Sequence, residues 1–124
     1  MEKQLVMSFS DGEDLIEGVY QAVRENDVDF GIFSEIRGEL KEFKVISDNY
    51  DTPSAEGHVY LLDKVSGRVL KQKEGGHKVK LHVTLVKKGV SKANLVTGEL
   101  VRGIAHGDVT LILKLRDMKN IIYS

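Results

Sequence analysis

The chain has no cysteine, no tryptophan and a single proline, Pro53, and its aromatics amount to four tyrosines and four phenylalanines. Without cysteine there can be no disulfide, no thiolate metal site and no thiol nucleophile, which fits a reducing compartment, so a cytoplasmic protein is expected. One proline and no serine- or glutamine-rich tract argue against a disordered chain. No apolar run approaches the roughly 20 residues of a spanning helix, and Met1 to Phe9 carries one lysine and only a short apolar stretch, so neither a membrane segment nor a signal peptide is expected. Catalytic signatures are absent as well. No Ser-His-Asp set or Gly-x-Ser-x-Gly elbow can be assembled from the spacing, and Gly75-Gly76-His77 lacks both the lysine and the strand-to-helix setting of a phosphate loop. These gaps point away from an enzyme, and no cofactor is implied.

What is present is ordinary globular material: 124 residues, 41% apolar and 30% charged. That length suits one domain spanning 1–124. Gln4 to Phe9 reads as a first strand. Ser10 and Glu13 then have the spacing of a capping box, and Leu15, Ile16, Val19, Ala22 and Val23 fall on one helical face, which predicts a helix over about 12–26, stopped by Asn26-Asp27. Beyond it come β-rich runs at Val28–Ile36, Leu40–Ile46, His58–Val65, Arg68–Lys73, Val79–Val86 and Val109–Leu115. Val79, Leu81, Val83 and Leu85 alternate with Lys80, His82 and Thr84, the period of a strand with two distinct faces. Ser66-Gly67 suits a tight hairpin, Glu74-Gly75-Gly76 a more open turn, and 48–57 a mobile loop. One helix against many strands predicts an α+β fold, with a mixed or antiparallel sheet and the helix packed on one face.

Charge nearly cancels overall, at −1, but not locally. Residues 1–62 carry 5 basic against 14 acidic side chains, a net of −9, and residues 63–124 carry 13 against 5, a net of +8. The two halves can neutralise one another within the fold or across subunits, or the second can present a basic face to a polyanion. Lysines at 71, 73, 78, 80, 87, 88 and 92 supply the electrostatic minimum for phosphate contact, with Lys78, Lys87, Lys88 and Lys92 as candidates. No Arg-Gly-Arg-Pro AT-hook and no recognition helix accompany them, so any DNA binding is expected to be weak and without sequence preference.

Four histidines are the candidates for metal or proton chemistry. His58 and His77 sit beside glycines and read as exposed loop residues. His106 and Asp108 flank Gly107, where a shared chelate is awkward. His82 has more support, because Lys80 and Thr84 share its strand face.

Three stretches, in order, resemble the PPC domain, the plant and prokaryote conserved domain of AT-hook nuclear proteins and of free-standing prokaryotic proteins. Ser10-Asp11-Gly12-Glu13-Asp14-Leu15 resembles the family's glycine-glutamate-aspartate helix start. Leu81-His82-Val83-Thr84-Leu85 resembles its His-Leu-His-Val-Ser-Leu strand, and Val96-Thr97-Gly98-Glu99-Leu100-Val101-Arg102-Gly103 its Gly-Gly-His-Leu-x-x-Gly segment. The resemblance implies a homotrimer of compact α+β protomers. It also shows departures: Lys80 stands where the family's strand has its first histidine, Glu99 where the third segment has one, and Thr110 where the last strand often has glutamate. A three-histidine metal cluster is therefore not inherited, and no bound metal is expected. Lys80, His82, Glu99 and Thr110 remain as a candidate polar cluster in a subunit cleft. The expected role is a homotrimeric binding or interaction module taking another protein or a small ligand. A DNA-associated regulator is the first alternative, and a small-molecule or metal-dependent site around His82 and Glu99 the second.

Overall fold

The computed structural model describes residues 3–47, 58–89 and 95–116, together with the backbone of 50–53. Within these bounds lie six strands and one helix: β1 (Lys3–Phe9), α1 (Leu15–Glu25), β2 (Phe30–Ser47), β3 (Tyr50–Pro53), β4 (Tyr60–Lys71), β5 (His77–Lys87) and β6 (Leu95–Arg116). Every strand pairing is antiparallel.

Two long strands organise the rest. β2 pairs with β6 along nearly its full length, from Phe30 opposite Arg116 to Ile46 opposite Glu99. On its other side β2 takes β4 and then β3, while β6 takes β5 at its beginning and β1 at its end. Because β4 and β5 also pair, β6, β2, β4 and β5 form a closed ring, and closure removes the free edges that an open sheet would expose. The sequence pattern divides β2 into two runs at Gly38, whereas the structure shows one strand with register shifts there. Gly38 has φ +135°, and a Cβ on it would lie 2.7 Å from Val109 Cγ2, so glycine turns the strand without ending it.

Ser66-Gly67 is likewise no hairpin. β4 runs straight through it, Gly67 sits opposite Leu81 with φ +117°, and a Cβ there would stand 2.0 Å from the Lys80 carbonyl oxygen. Glycine permits a close strand approach in mid-ladder, a role that sequence alone does not distinguish from a turn. Glu74-Gly75-Gly76 does form the open turn, closed by Gln72 N–H donating to the Gly76 carbonyl at 3.0 Å. The 48–57 loop contains β3 at 50–53; its remaining residues lie outside the described ones.

The helix begins later than its sequence pattern suggests, at Leu15, with Asp14 as its cap. Asp14 Oδ1 accepts from Ile16 N–H at 3.1 Å, while the Glu13 carboxylate reaches back to Ser10 N–H at 2.7 Å and closes a turn ahead of the helix. This turn also braces β6. Between its β5-paired and β1-paired segments, β6 has no strand on that side, and residues 11–14 fill the gap. Gly12 N–H donates to the Ala105 carbonyl, Ala105 N–H donates to the Glu13 carbonyl, Gly103 N–H donates to Asp14 Oδ1 and Gly107 N–H donates to Asp11 Oδ1, all between 2.8 and 3.1 Å. Backbone groups that a strand would have satisfied are thus satisfied by a helix entry.

Leu15, Val19 and Val23 lie fully buried at successive i, i+4 positions against Met7, Phe9, Leu81, Leu85, Leu111 and Leu113. Each such side chain contributes about 1.5–3 kcal/mol on removal from water. Asn26 closes the helix by donating Nδ2–H to the Ala22 carbonyl, and Asp27 follows in the left-handed region at φ +46°. No polar or charged residue is buried among the described residues, so a site built from them lies at the surface.

Candidate functional site

β5 presents Lys78, Lys80 and His82 outward because Val79, Leu81 and Val83 turn into the core. The antiparallel register then fixes their neighbours. On β4, Arg68 stands opposite Lys80, Ser66 opposite His82 and Lys64 opposite Thr84; on β6, Glu99 stands opposite His82 and Thr97 opposite Thr84. Lys80, His82 and Glu99 are therefore brought together on one outer face. Lys80 Nζ lies 4.0 Å from Glu99 Oε1, at the limit of an ion pair, with side chains 49% and 32% exposed, and such a pair contributes little. One row along, the Thr97 hydroxyl donates to Thr84 Oγ1 at 3.3 Å.

Two glycines make this face possible. Gly67 lets β4 close on the Lys80 carbonyl, and a Cβ on Gly98 would stand 2.5 Å from the Ile46 carbonyl oxygen, so β2 reaches the Glu99 end of β6 only because residue 98 has no side chain.

Thr110 does not join the cluster. It lies on the far arm of β6, opposite Ser8 and Arg37, past the bulge at Gly107, and shares no row with His82 within the chain. The candidate phosphate contacts also separate. Lys78 is exposed on the outer face, Lys87 is half-buried at the other end of β5, Lys88 is engaged by Glu39, and Lys92 lies outside the described residues. His77 is not a bare loop residue. Its Nε2 lies 2.8 Å from the Val28 carbonyl oxygen, which can only accept, so Nε2 carries the proton and ties β5 to the helix exit. His58 and His106 are exposed.

Arg68 and Ser66 complete the face and are not legible while Ser66-Gly67 is taken as a turn; reading β4 through Gly67 as one strand puts both in phase with the outward side. Lys64, Arg68, Lys78 and Lys80 stand here against two carboxylates, Glu99 and Asp63, the latter exposed at the β4 bulge beside Lys64, so the described part of this face carries a net positive charge. Among the described residues no hydrogen bond joins Ser66 to His82 or His82 to Glu99, although the register puts them in one row, and no three of His, Cys, Asp and Glu are gathered as metal ligands.

A groove of about 560 Å³ lies between the first turn of α1 and β6, lined by Glu13, Asp14, Glu17, Gln21, Val101 and Arg102. The carboxylates of Glu13 and Asp14 are engaged by the backbone, as above, so they serve the fold there. Nearby, Asp11 is held below its ordinary value of 3.8 by the Gly107 N–H and by Lys41, whose Nζ lies 3.0 Å away. No described helix is long and apolar enough to cross a membrane.

Comparison with known proteins places this geometry in context. No curated protein matches the chain. Among solved structures, a protein of Bacteroides thetaiotaomicron described as a "putative DNA binding protein" superposes with a TM-score of 0.78 at 17% identity, covering 94% of this chain and 84% of its own. A plant- and prokaryote-conserved (PPC) protein of Pyrococcus horikoshii gives 0.75 at 20% identity, covering 94% and 83%. A metal-containing protein of Archaeoglobus fulgidus gives 0.71 at 18% identity, covering 91% and 79%. At these identities the likeness is one of fold. The sequence match is more direct: residues 1–115 fit the model of the Plants and Prokaryotes Conserved (PCC) domain, and the chain therefore belongs to that family, the PPC domain that its three motifs resemble.

Proposed function

We propose that the chain works as one domain and as a protomer of a homotrimeric binding module, with the polar cluster of Lys80, His82 and Glu99 on the rim of a subunit contact. The observation that carries this is an apolar row on the outer face: Leu61 of β4 stands opposite Val86 of β5, which stands opposite Leu95 of β6, with Leu61 41% and Leu95 61% exposed. Two exposed leucines flanking a half-buried valine in one row leave apolar surface in water and mark a contact surface. The row lies one register step from Thr84 and Thr97 and two from His82 and Glu99, so a subunit covering it would wall one side of the cluster and form a cleft. Ile46, 40% exposed and opposite Glu99, extends the apolar rim. Light scattering tests the reading: a mass three times the 13.8 kDa chain supports it, and a monomer at micromolar concentration refutes it.

A second reading, DNA association, is favoured by the cationic rows beyond His82 and accords with the description of the Bacteroides protein.

A further inference from the structure

The outer face of β4 and β5 divides into two ends of different chemistry. At one end lies the apolar row of Leu61 and Val86. Toward the other, three successive cross-strand rows, Lys64–Thr84, Ser66–His82 and Arg68–Lys80, hold cationic or hydrogen-bonding side chains, with the carboxylate of Asp63 at the bulge before Lys64, and Lys78 lies one step further along β5. Like charges directly opposite in an antiparallel pair destabilise it, yet Arg68 faces Lys80. Lys64, Arg68 and Lys78 are exposed and have no ion-pair partner among the described residues, and Lys80 has only Glu99 at 4.0 Å. A local rule broken on an outer face, with no carboxylate paired to Arg68 among the described residues, is the pattern of a surface kept for a ligand.

We infer that these rows, from Lys64 to Lys78, bind the phosphate backbone of nucleic acid, an inference that rests on the second reading above. Geometry selects the ligand class. The face is open, and a single exposed charge pair contributes about 1 kcal/mol or less, so a small isolated anion gains too little to be held. Six residues separate the Lys78 row from the Lys64 row, about 20 Å at strand rise, and four cations distributed over that length match an extended polyanion. Protein interfaces centre on apolar or aromatic anchors and are depleted in lysine, whereas phosphates are contacted by arginine, lysine and hydroxyls, the groups these three rows present. The rows offer no asparagine or glutamine and no helix to enter a groove, so binding is independent of sequence.

The test is fluorescence anisotropy of the full chain with two unrelated short duplexes across a salt series. We expect equal affinity for both and a log–log salt slope of about −3 to −4, since each phosphate contact contributes about −0.9. Arg68→Ala combined with Lys80→Ala reduces the magnitude of that slope by about 2, while Lys87→Ala leaves it unchanged. Circular dichroism and light scattering on the same variants verify that fold and assembly are intact. No measurable DNA binding overturns both this inference and the DNA reading. Binding that survives the double variant with its slope intact overturns the placement alone. Competition by polyglutamate as effective as by DNA overturns the assignment to nucleic acid in favour of an acidic protein partner.

Discussion

Single residues at this outer face act through what they lack or displace. Gly67 has both a left-handed backbone and a carbonyl in the space of its missing Cβ, so Gly67→Ala forces β4 away from β5. We expect a loss of about 3 kcal/mol or more in urea unfolding, the sum of a strained φ and an overlap with backbone that cannot rotate away. A loss under about 1 kcal/mol would mean that the two strands separate readily there. At the cluster itself, Lys80 and Glu99 stand where the resemblance would put metal ligands, and an ammonium beside His82 repels a cation. Protein purified without a histidine tag should therefore contain no stoichiometric transition metal by elemental analysis. About one zinc per chain, lost in His82→Ala, would reverse that conclusion.

At the scale of elements, the segment from Ser10 to Asp14 is at once a helix entry and a substitute strand. Asp14 accepts from Ile16 N–H in the helix and from Gly103 N–H in β6, so Asp14→Ala removes a cap and leaves a strand donor unpaired. The expected cost is about 1–3 kcal/mol in urea unfolding, with Asp14→Asn recovering much of it, because an amide oxygen can still accept both bonds. The helix exit is held by charge. Lys71 Nζ lies 2.6 Å from Asp27 Oδ1, which holds Asp27 below its ordinary 3.8 and Lys71 above its ordinary 10.5, and the Gly107 N–H with Lys41 does the same for Asp11. A carboxylate whose folded value is depressed adds stability above its unfolded value and loses it as pH falls through the folded one, so Asp11 and Asp27 withdraw support below about pH 4. Lys71, whose folded value is raised, adds stability that is complete below the unfolded value and is lost as pH rises through the folded one, above 10.5. Denaturant midpoints measured on either side of pH 4 should thus fall less in Asp27→Asn than in the native chain. Equal falls would show the exposed pair to be screened out.

For the whole molecule, the opposed charges of the two halves are partly reconciled within the fold. Asp11 meets Lys41, Asp27 meets Lys71, Glu39 meets Lys88 and Glu42 meets Arg102, and three of these four pairs join the acidic half to the basic one. Among the described residues, Lys64, Arg68 and Lys78 of the β4–β5 outer face are exposed cations outside these pairs. If the apolar row buries a subunit contact, Leu61→Lys combined with Leu95→Lys should convert the assembly to monomer in light scattering while leaving the circular dichroism spectrum unchanged. Both side chains point away from the core, so an intact trimer in the double variant would place the contact elsewhere, for example over Val6, 56% exposed on β1.

Periodicity in the sequence determined the alternation of β5, the helical face of Leu15, Val19 and Val23, the turn at Gly75-Gly76 and, through three short motifs, the family. These are local properties, written in side-chain pattern within a few residues. Which residues stand opposite one another was decided only in the tertiary structure. Glu99 meets His82, Arg68 meets Lys80 and Thr110 falls away from both because β2 and β6 wrap into a closed ring whose register is set by long-range pairing. Gly38 and Gly67 read as breaks because a glycine with positive φ looks alike in a turn and in a bent strand. Only the partner carbonyl at Lys80 and the Val109 side chain opposite Gly38 distinguish the two, and both are brought there by chain far away in sequence.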